Sequence, residues 1–113
     1  MIRALVLIAA FAGLCACSKA ESTAASGPPI SLLLKDHRFT PAEVHVKANQ
    51  PFAIEVTNAD GVADEFDSDS LKREKVIAGG QKGIVRVGPL PAGRYPFMGE
   101  YHAKTAQGAV IAE

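Results

Sequence analysis

The chain has 113 residues, 48% of them hydrophobic, and its 12 lysines and arginines balance 12 aspartates and glutamates. One domain is expected at this length, and the zero net charge argues against recognition of nucleic acid or an anionic membrane surface through a basic patch. No cysteine follows Cys17, so a disulfide-stapled fold is excluded.

Residues 1–16 (MIRALVLIAAFAGLCA) place one cation, Arg3, ahead of an apolar run. This is the layout of a secretory signal peptide, too short to span a bilayer comfortably. Leu14, Cys15, Ala16 and Cys17 set a cysteine behind a leucine and a small residue, which resembles the lipobox of bacterial lipoproteins. That resemblance implies that Cys17 is the lipid-modified N-terminus of a periplasmic protein anchored to a bacterial membrane. Cys15 is unusual in such a motif, and ordinary cleavage to a soluble periplasmic protein is the alternative. A Cys15–Cys17 disulfide would close a strained ring. Residues 17–29 continue as a flexible tether, because SKAESTAASGPP over Ser18–Pro29 has no large apolar side chain to bury. The folded domain is expected over residues 30–113, about 84 residues and enough for one core.

The domain reads as all-β. Residues 30–35 are apolar; Val44 and Val46, then Phe52, Ile54 and Val56, recur at every second position, the period of a half-buried strand. Further runs at 71–77, 83–87, 94–98 and 108–112 are separated by Gly79-Gly80, by a Pro89 to Gly93 turn and by polar loops. Such spacing predicts a β-sandwich of about seven strands, with at most one helical turn near 103–107.

FTPAEVHV over residues 39–46, followed by Asn49, Pro51 and the alternating run to Asn58, resembles the opening of cupredoxins. Gly93-Arg94-Tyr95-Pro96-Phe97-Met98-Gly99-Glu100-Tyr101-His102 resembles the cupredoxin hairpin that leads to the cysteine, histidine and methionine ligands. The resemblance implies a single Greek-key sandwich. It also implies that Gly99 stands where a blue-copper protein has its thiolate, Ala106 where it has the axial methionine, and a residue near Asp64 where it has the first histidine. Only His102 keeps a ligand identity, so type 1 copper is not expected.

Two strings point to a narrower group. EFDSDSLKREK over residues 65–75 and GEYHAKTAQG over residues 99–108 resemble the EfeO-type cupredoxin-like proteins of bacterial iron uptake. The resemblance implies a mononuclear site for iron or copper(II) built from Glu65 and Asp67 on one loop and Glu100 and His102 on the other, with Glu74 added on resemblance alone. On extended backbone, residues two apart share a side, so Glu100 with His102 and Glu65 with Asp67 are expected to converge. Oxygen and imidazole donors suit iron, copper(II) or manganese better than copper(I).

Bland readings stand beside these. Asp60 and Asp69 read as solvated surface, Glu74 as a partner for neighbouring lysines and arginines, and His102 as a loop cap. His37 and His45 have no evident partner, and Tyr101 either shields or hydrogen-bonds a ligand. No pattern of a hydrolase or nucleotide enzyme is present, and a ferroxidase step would need an electron acceptor that the chain does not display. The expected function is a periplasmic accessory that accepts or oxidises iron for a membrane iron permease, working with a periplasmic iron-binding protein. A copper-handling protein and a metal-free interaction module are the alternatives.

Overall fold

The structure, a computed structural model, describes residues 27–113. The expected signal peptide, Cys17 and most of the expected tether lie outside the described residues. The alternating apolar positions of the domain supply the facing sides of two sheets. Nine strands form among the described residues: β1 (Ile30–Lys35), β2 (Arg38–Thr40), β3 (Glu43–Val46), β4 (Phe52–Asn58), β5 (Asp64–Ser68), β6 (Arg73–Ile77), β7 (Lys82–Val87), β8 (Gly93–Gly99) and β9 (Gln107–Ala112). A 3₁₀ turn, η1 (Glu100–His102), follows β8. One sheet runs β2-β1-β4-β7 and the other β3-β9-β8-β5-β6.

Leu32, Leu34, Ile54, Val56, Val85 and Val87 from the first sheet meet Val44, Phe66, Phe97 and Val110 from the second, all buried. Each such side chain contributes about 1.5–3 kcal/mol on leaving water. Phe39, Phe66 and Phe97 pack together at the centre, with the Phe39 and Phe97 ring centroids 5.2 Å apart and edge to face, and those of Phe66 and Phe97 5.0 Å apart.

The expectation of a two-sheet sandwich holds, and the strand count is nine rather than seven. The two additions are β2 and β5, and β6 begins at Arg73 instead of residue 71. β5 was hidden because its inward positions alternate Asp64, Phe66 and Ser68, so polar groups occupy core-facing sites that hydropathy assigns to a loop. They are buried because they are bonded: the Ser68 hydroxyl donates to Pro96 O at 2.6 Å and accepts from Leu71 N at 3.1 Å.

Pairing brings the functional segments to one end. β1 and β4 run parallel, with Leu34 opposite Asn58, so the Asp36-His37 turn leaving β1 lies beside the loop leaving β4. Asn58, fully buried, donates to Val62 O at 2.8 Å and Ile77 O at 3.1 Å and accepts from Asp60 N at 3.0 Å, which fixes that loop. β5 pairs with β8 at Phe66 opposite Gly99, so η1 begins next to Asp64.

Candidate metal centre

β5 sends its residues to two environments. Asp64, Phe66 and Ser68 face inward, and Glu65 and Asp67 face outward, half-buried. Asp67 lies opposite Glu74 of β6 and opposite Met98 of β8. Because Phe97 and Gly99 are turned into the sandwich, Met98 shares the outer face and is 38% exposed. Glu100 reaches the same face, where the Glu65 carboxylate beside it, with further contributions from lost hydration, Asp67, a side-chain hydrogen bond to Glu65, and Glu74, raises its proton affinity above the usual carboxylate range. The Tyr101 phenol is likewise pushed up, first by partial loss of water and then by Glu65. Glu65, Asp67, Glu74 and Glu100 therefore form one acidic field, edged by Tyr101 and Met98. As they stand, no three His, Cys, Asp or Glu side chains among the described residues are at metal-holding distance.

His102 does not share that field. Residues 100–102 form a 3₁₀ turn rather than extended backbone, and with three residues per turn, positions two apart point to different sides. The expected convergence of Glu100 with His102 is thereby corrected. His102 Nδ1 instead lies 2.9 Å from Asp64 Oδ2, and its ring stacks on His37 with centroids 3.7 Å apart and planes 11° apart.

Asp64 is the residue that the sequence reading passed over. It is 2% exposed, and its other oxygen, Oδ1, accepts from Glu65 N at 2.8 Å and Tyr101 N at 3.1 Å. A Cβ added at Gly99 would stand 2.7 Å from Asp64 Oδ2 and 2.8 Å from the Ala106 Cβ. The space of a cysteine side chain at position 99 is thus filled by the Asp64 carboxylate, and Ala106, fully buried, closes the floor. These residues do not fit a type 1 copper ion, which needs a thiolate and converging imidazoles. The outer face fits a hard cation better, because its donors are carboxylate oxygens whose mutual repulsion a cation relieves.

The readings of Asp60 as solvated surface and of His37 as partnerless are both corrected: the Asp60 side chain is 13% exposed and faces His37. Asp60 accepts backbone hydrogen bonds from Asp36 at 2.7 Å and His37 at 3.0 Å and lies 3.4 Å from His37 Nδ1. The His37 backbone bond, outweighing some desolvation, holds the Asp60 carboxyl below its usual range. The signal available in the sequence was a two-residue Asp-His turn between strands and an Asn-x-Asp at the end of β4. His45 is exposed, as its alternation with Val44 and Val46 implied, and bonds Glu113 at 2.8 Å.

The fold has close counterparts at low identity. Auracyanin A, a blue copper protein of Chloroflexus aurantiacus, superposes with a TM-score of 0.65 at 15% identity, over 76% of this chain and 98% of that one. The metal-binding domain of a Cu(I)-exporting P-type ATPase of Streptococcus pneumoniae gives 0.64 at 16%, over 75% and 84%. Amicyanin of Paracoccus versutus gives 0.60 at 16%, over 78% and 84%. An uncharacterized protein of Rickettsia prowazekii is 34% identical over 82 residues, 73% of this chain and 66%, just under two thirds, of the relative. A family model of the cupredoxin-like domain matches residues 4–112, and with the two-sheet sandwich in view, the chain belongs to the cupredoxin-like family.

Proposed function

We propose that this cupredoxin-like protein is a periplasmic metal-binding lipoprotein that accepts iron on the outer face of β5, β6 and η1 and presents it to a membrane iron permease. The single observation behind the proposal is the raised proton affinity of Glu100, caused first by Glu65 and then by Asp67 and Glu74 among the neighbouring charges. A carboxylate whose proton affinity is raised by neighbouring carboxylates marks a concentration of negative charge that a multivalent cation relieves, in competition with protons. Glu65, Asp67 and Glu100 would bind the cargo, and Glu74, opposite Asp67, would complete the set after side-chain rotation. His102 belongs to the inner pair with Asp64, so its part in holding iron would require that pair to open.

The loop strings at residues 65–75 and 99–108 support iron as the cargo and a permease and a periplasmic iron-binding protein as partners, and the lipobox-like residues 14–17 support attachment to the membrane through Cys17. Met98 beside Asp67 favours copper handling as a second reading, because a thioether suits softer ions. Anaerobic titration with iron(II), in parallel with manganese(II) and copper(II), tests the proposal. Glu65→Gln and Glu100→Gln should each weaken iron(II) binding about tenfold or more, the scale on which even supporting groups matter. Unchanged iron(II) affinity in both variants would remove the reading.

A further inference from the structure

β5 pairs with β8 at only two positions, Phe66 with Gly99 and Asp67 with Met98, whereas β8 stays paired with β9 down to Gly93. Beyond Asp67 the chain leaves the sheet in a turn, closed by the Lys72 N–H, which donates to Asp69 O at 3.2 Å. The Ser68 and Ser70 hydroxyls pin that turn to β8 by donating to Pro96 O at 2.6 and 3.4 Å. The turn thus walls one side of the outer face of this sheet, and Glu43 of β3, beyond β9, walls the other. Between them lies a groove of about 550 Å³ floored by Pro96 and Met98, both exposed on the strand.

The charges facing the groove do not balance. Arg94 is held by Glu43 at 3.3 Å, and the other Glu43 oxygen lies 3.7 Å from His45. Asp67 and Asp69, on the side of the turn, have no ion-pair partner among the described residues. Two uncompensated carboxylates therefore stand over an apolar floor. An arginine or lysine side chain complements both features, its aliphatic stem covering Met98 and Pro96 while its charged head reaches the aspartates. An acidic occupant would meet like charge there, and an apolar one would strip the carboxylates of water without replacing it.

Asp67 also belongs to the acidic face. It lies opposite Glu74 and is among the charges that raise the proton affinity of Glu100, so the groove opens directly onto the carboxylates that would hold a cation. We infer that the groove is the docking site for an arginine- or lysine-bearing segment of a partner protein, and that docking loosens the cation on the acidic face. A cationic side chain on Asp67 supplies positive charge that the cargo would otherwise supply, so each ligand lowers the affinity of the other, and by the same factor. Arrival of the partner then becomes release of the cargo. Docking stands on the groove alone, whereas release rests on the reading of the acidic face as the iron site.

The probe is a capped pentapeptide with arginine between two leucines and alanine at each end, compared with its citrulline counterpart, which keeps the shape of arginine without the charge. Amide chemical shifts of the protein should move saturably at Asp67, Asp69, Ser70 and Met98 with the arginine peptide, and the citrulline peptide should bind about tenfold or more weakly, having lost its charge-assisted hydrogen bonds. Asp69→Asn should weaken the arginine peptide about three- to fivefold, the scale of one exposed ion pair, with iron(II) binding unchanged; Asp67→Asn should weaken both. Saturating arginine peptide should weaken iron(II) binding in wild type about fivefold or more. Equal binding of the two peptides, or shifts centred elsewhere, would overturn the docking site; the same shifts on concentrating the protein alone would give the groove to a second copy and overturn it too. A peptide seated in the groove with iron(II) affinity unchanged would overturn release. Iron(II) binding absent even without peptide would sink the iron reading and release with it, while the citrulline comparison would still decide the docking site.

Discussion

The Asp64 carboxylate stands 2.9 Å from His102 Nδ1, in the volume that any side chain on Gly99 would have to enter. An acid–imidazole pair thus fills the space beside Gly99, the position that the resemblance to cupredoxins sets against a thiolate. It does so with its hydrogen bonds made, since Asp64 also receives the N–H groups of Glu65 and Tyr101. A buried carboxylate with three donors is stable in a way that an unpartnered one is not.

Gly99→Ala should therefore destabilise the domain by about 1–3 kcal/mol, the usual cost of inserting a methyl group into a packed site, as read by urea denaturation. Gly99→Cys should not create a blue protein. With copper(II) it should lack the intense thiolate-to-copper absorption, because Asp64 holds the space and position 64 offers no imidazole. A deep blue Gly99→Cys monomer would show that Asp64 gives way easily, against the packing described above.

The acidic face makes stability depend on pH in a definite direction. Glu100 has its proton affinity raised in the folded state, so between its unfolded and folded pKa values the native protein binds more protons than the unfolded chain. Stability then falls as pH rises through that window, and the penalty persists above it. Glu100→Gln should be more heat-stable than wild type at neutral pH, and the difference should vanish as pH falls below the carboxylate range. Saturating manganese(II) should narrow the same gap by neutralising the field in the wild type. Melting curves across pH, with and without the ion, check both statements.

Asp60 contributes with the opposite sign. Its carboxyl is held below the usual range, principally by the His37 backbone bond, so its stabilisation is present above the unfolded pKa and is lost as pH falls through the folded one. Asp60→Ala should lower the unfolding free energy by about 1.5–3 kcal/mol at neutral pH, the scale of a hydrogen bond to a charged group. It should also speed exchange of the Asp36 and His37 amide protons. Equal exchange in wild type and variant would mean that the turn holds its shape unaided.

Anchoring is tested at Cys17. Cys17→Ala should release the protein from membranes and remove the mass of the lipid, because two acyl chains supply the affinity needed for stable attachment. Wild-type protein recovered wholly soluble from the periplasm, with an unmodified N-terminus, would sink the lipoprotein reading.

Most of the scaffold was legible in the chain. Val44 and Val46, and Phe52, Ile54 and Val56, alternate against polar neighbours, and a period of two places them on one face of a strand whatever else the chain does. The outward alternation of Glu65 and Asp67 followed from the same geometry. The expectation of no thiolate–copper centre came from composition alone, since no cysteine follows Cys17. Other features depended on the folded state. Whether residues 100–102 run extended or turn as a 3₁₀ helix decides which side His102 faces, and three residues carry no period. β5 escaped notice because Asp64 and Ser68 are buried by virtue of partners distant in sequence, His102 and Pro96. His37 and His102 meet only because the parallel pairing of β1 with β4 and the register of β5 with β8 bring two turns, 65 residues apart in the numbering, to one end of the sandwich. Side-chain periodicity is a local property of the chain, whereas the partner of a buried polar group is chosen by strand register, and register is settled when the two sheets close over their common core.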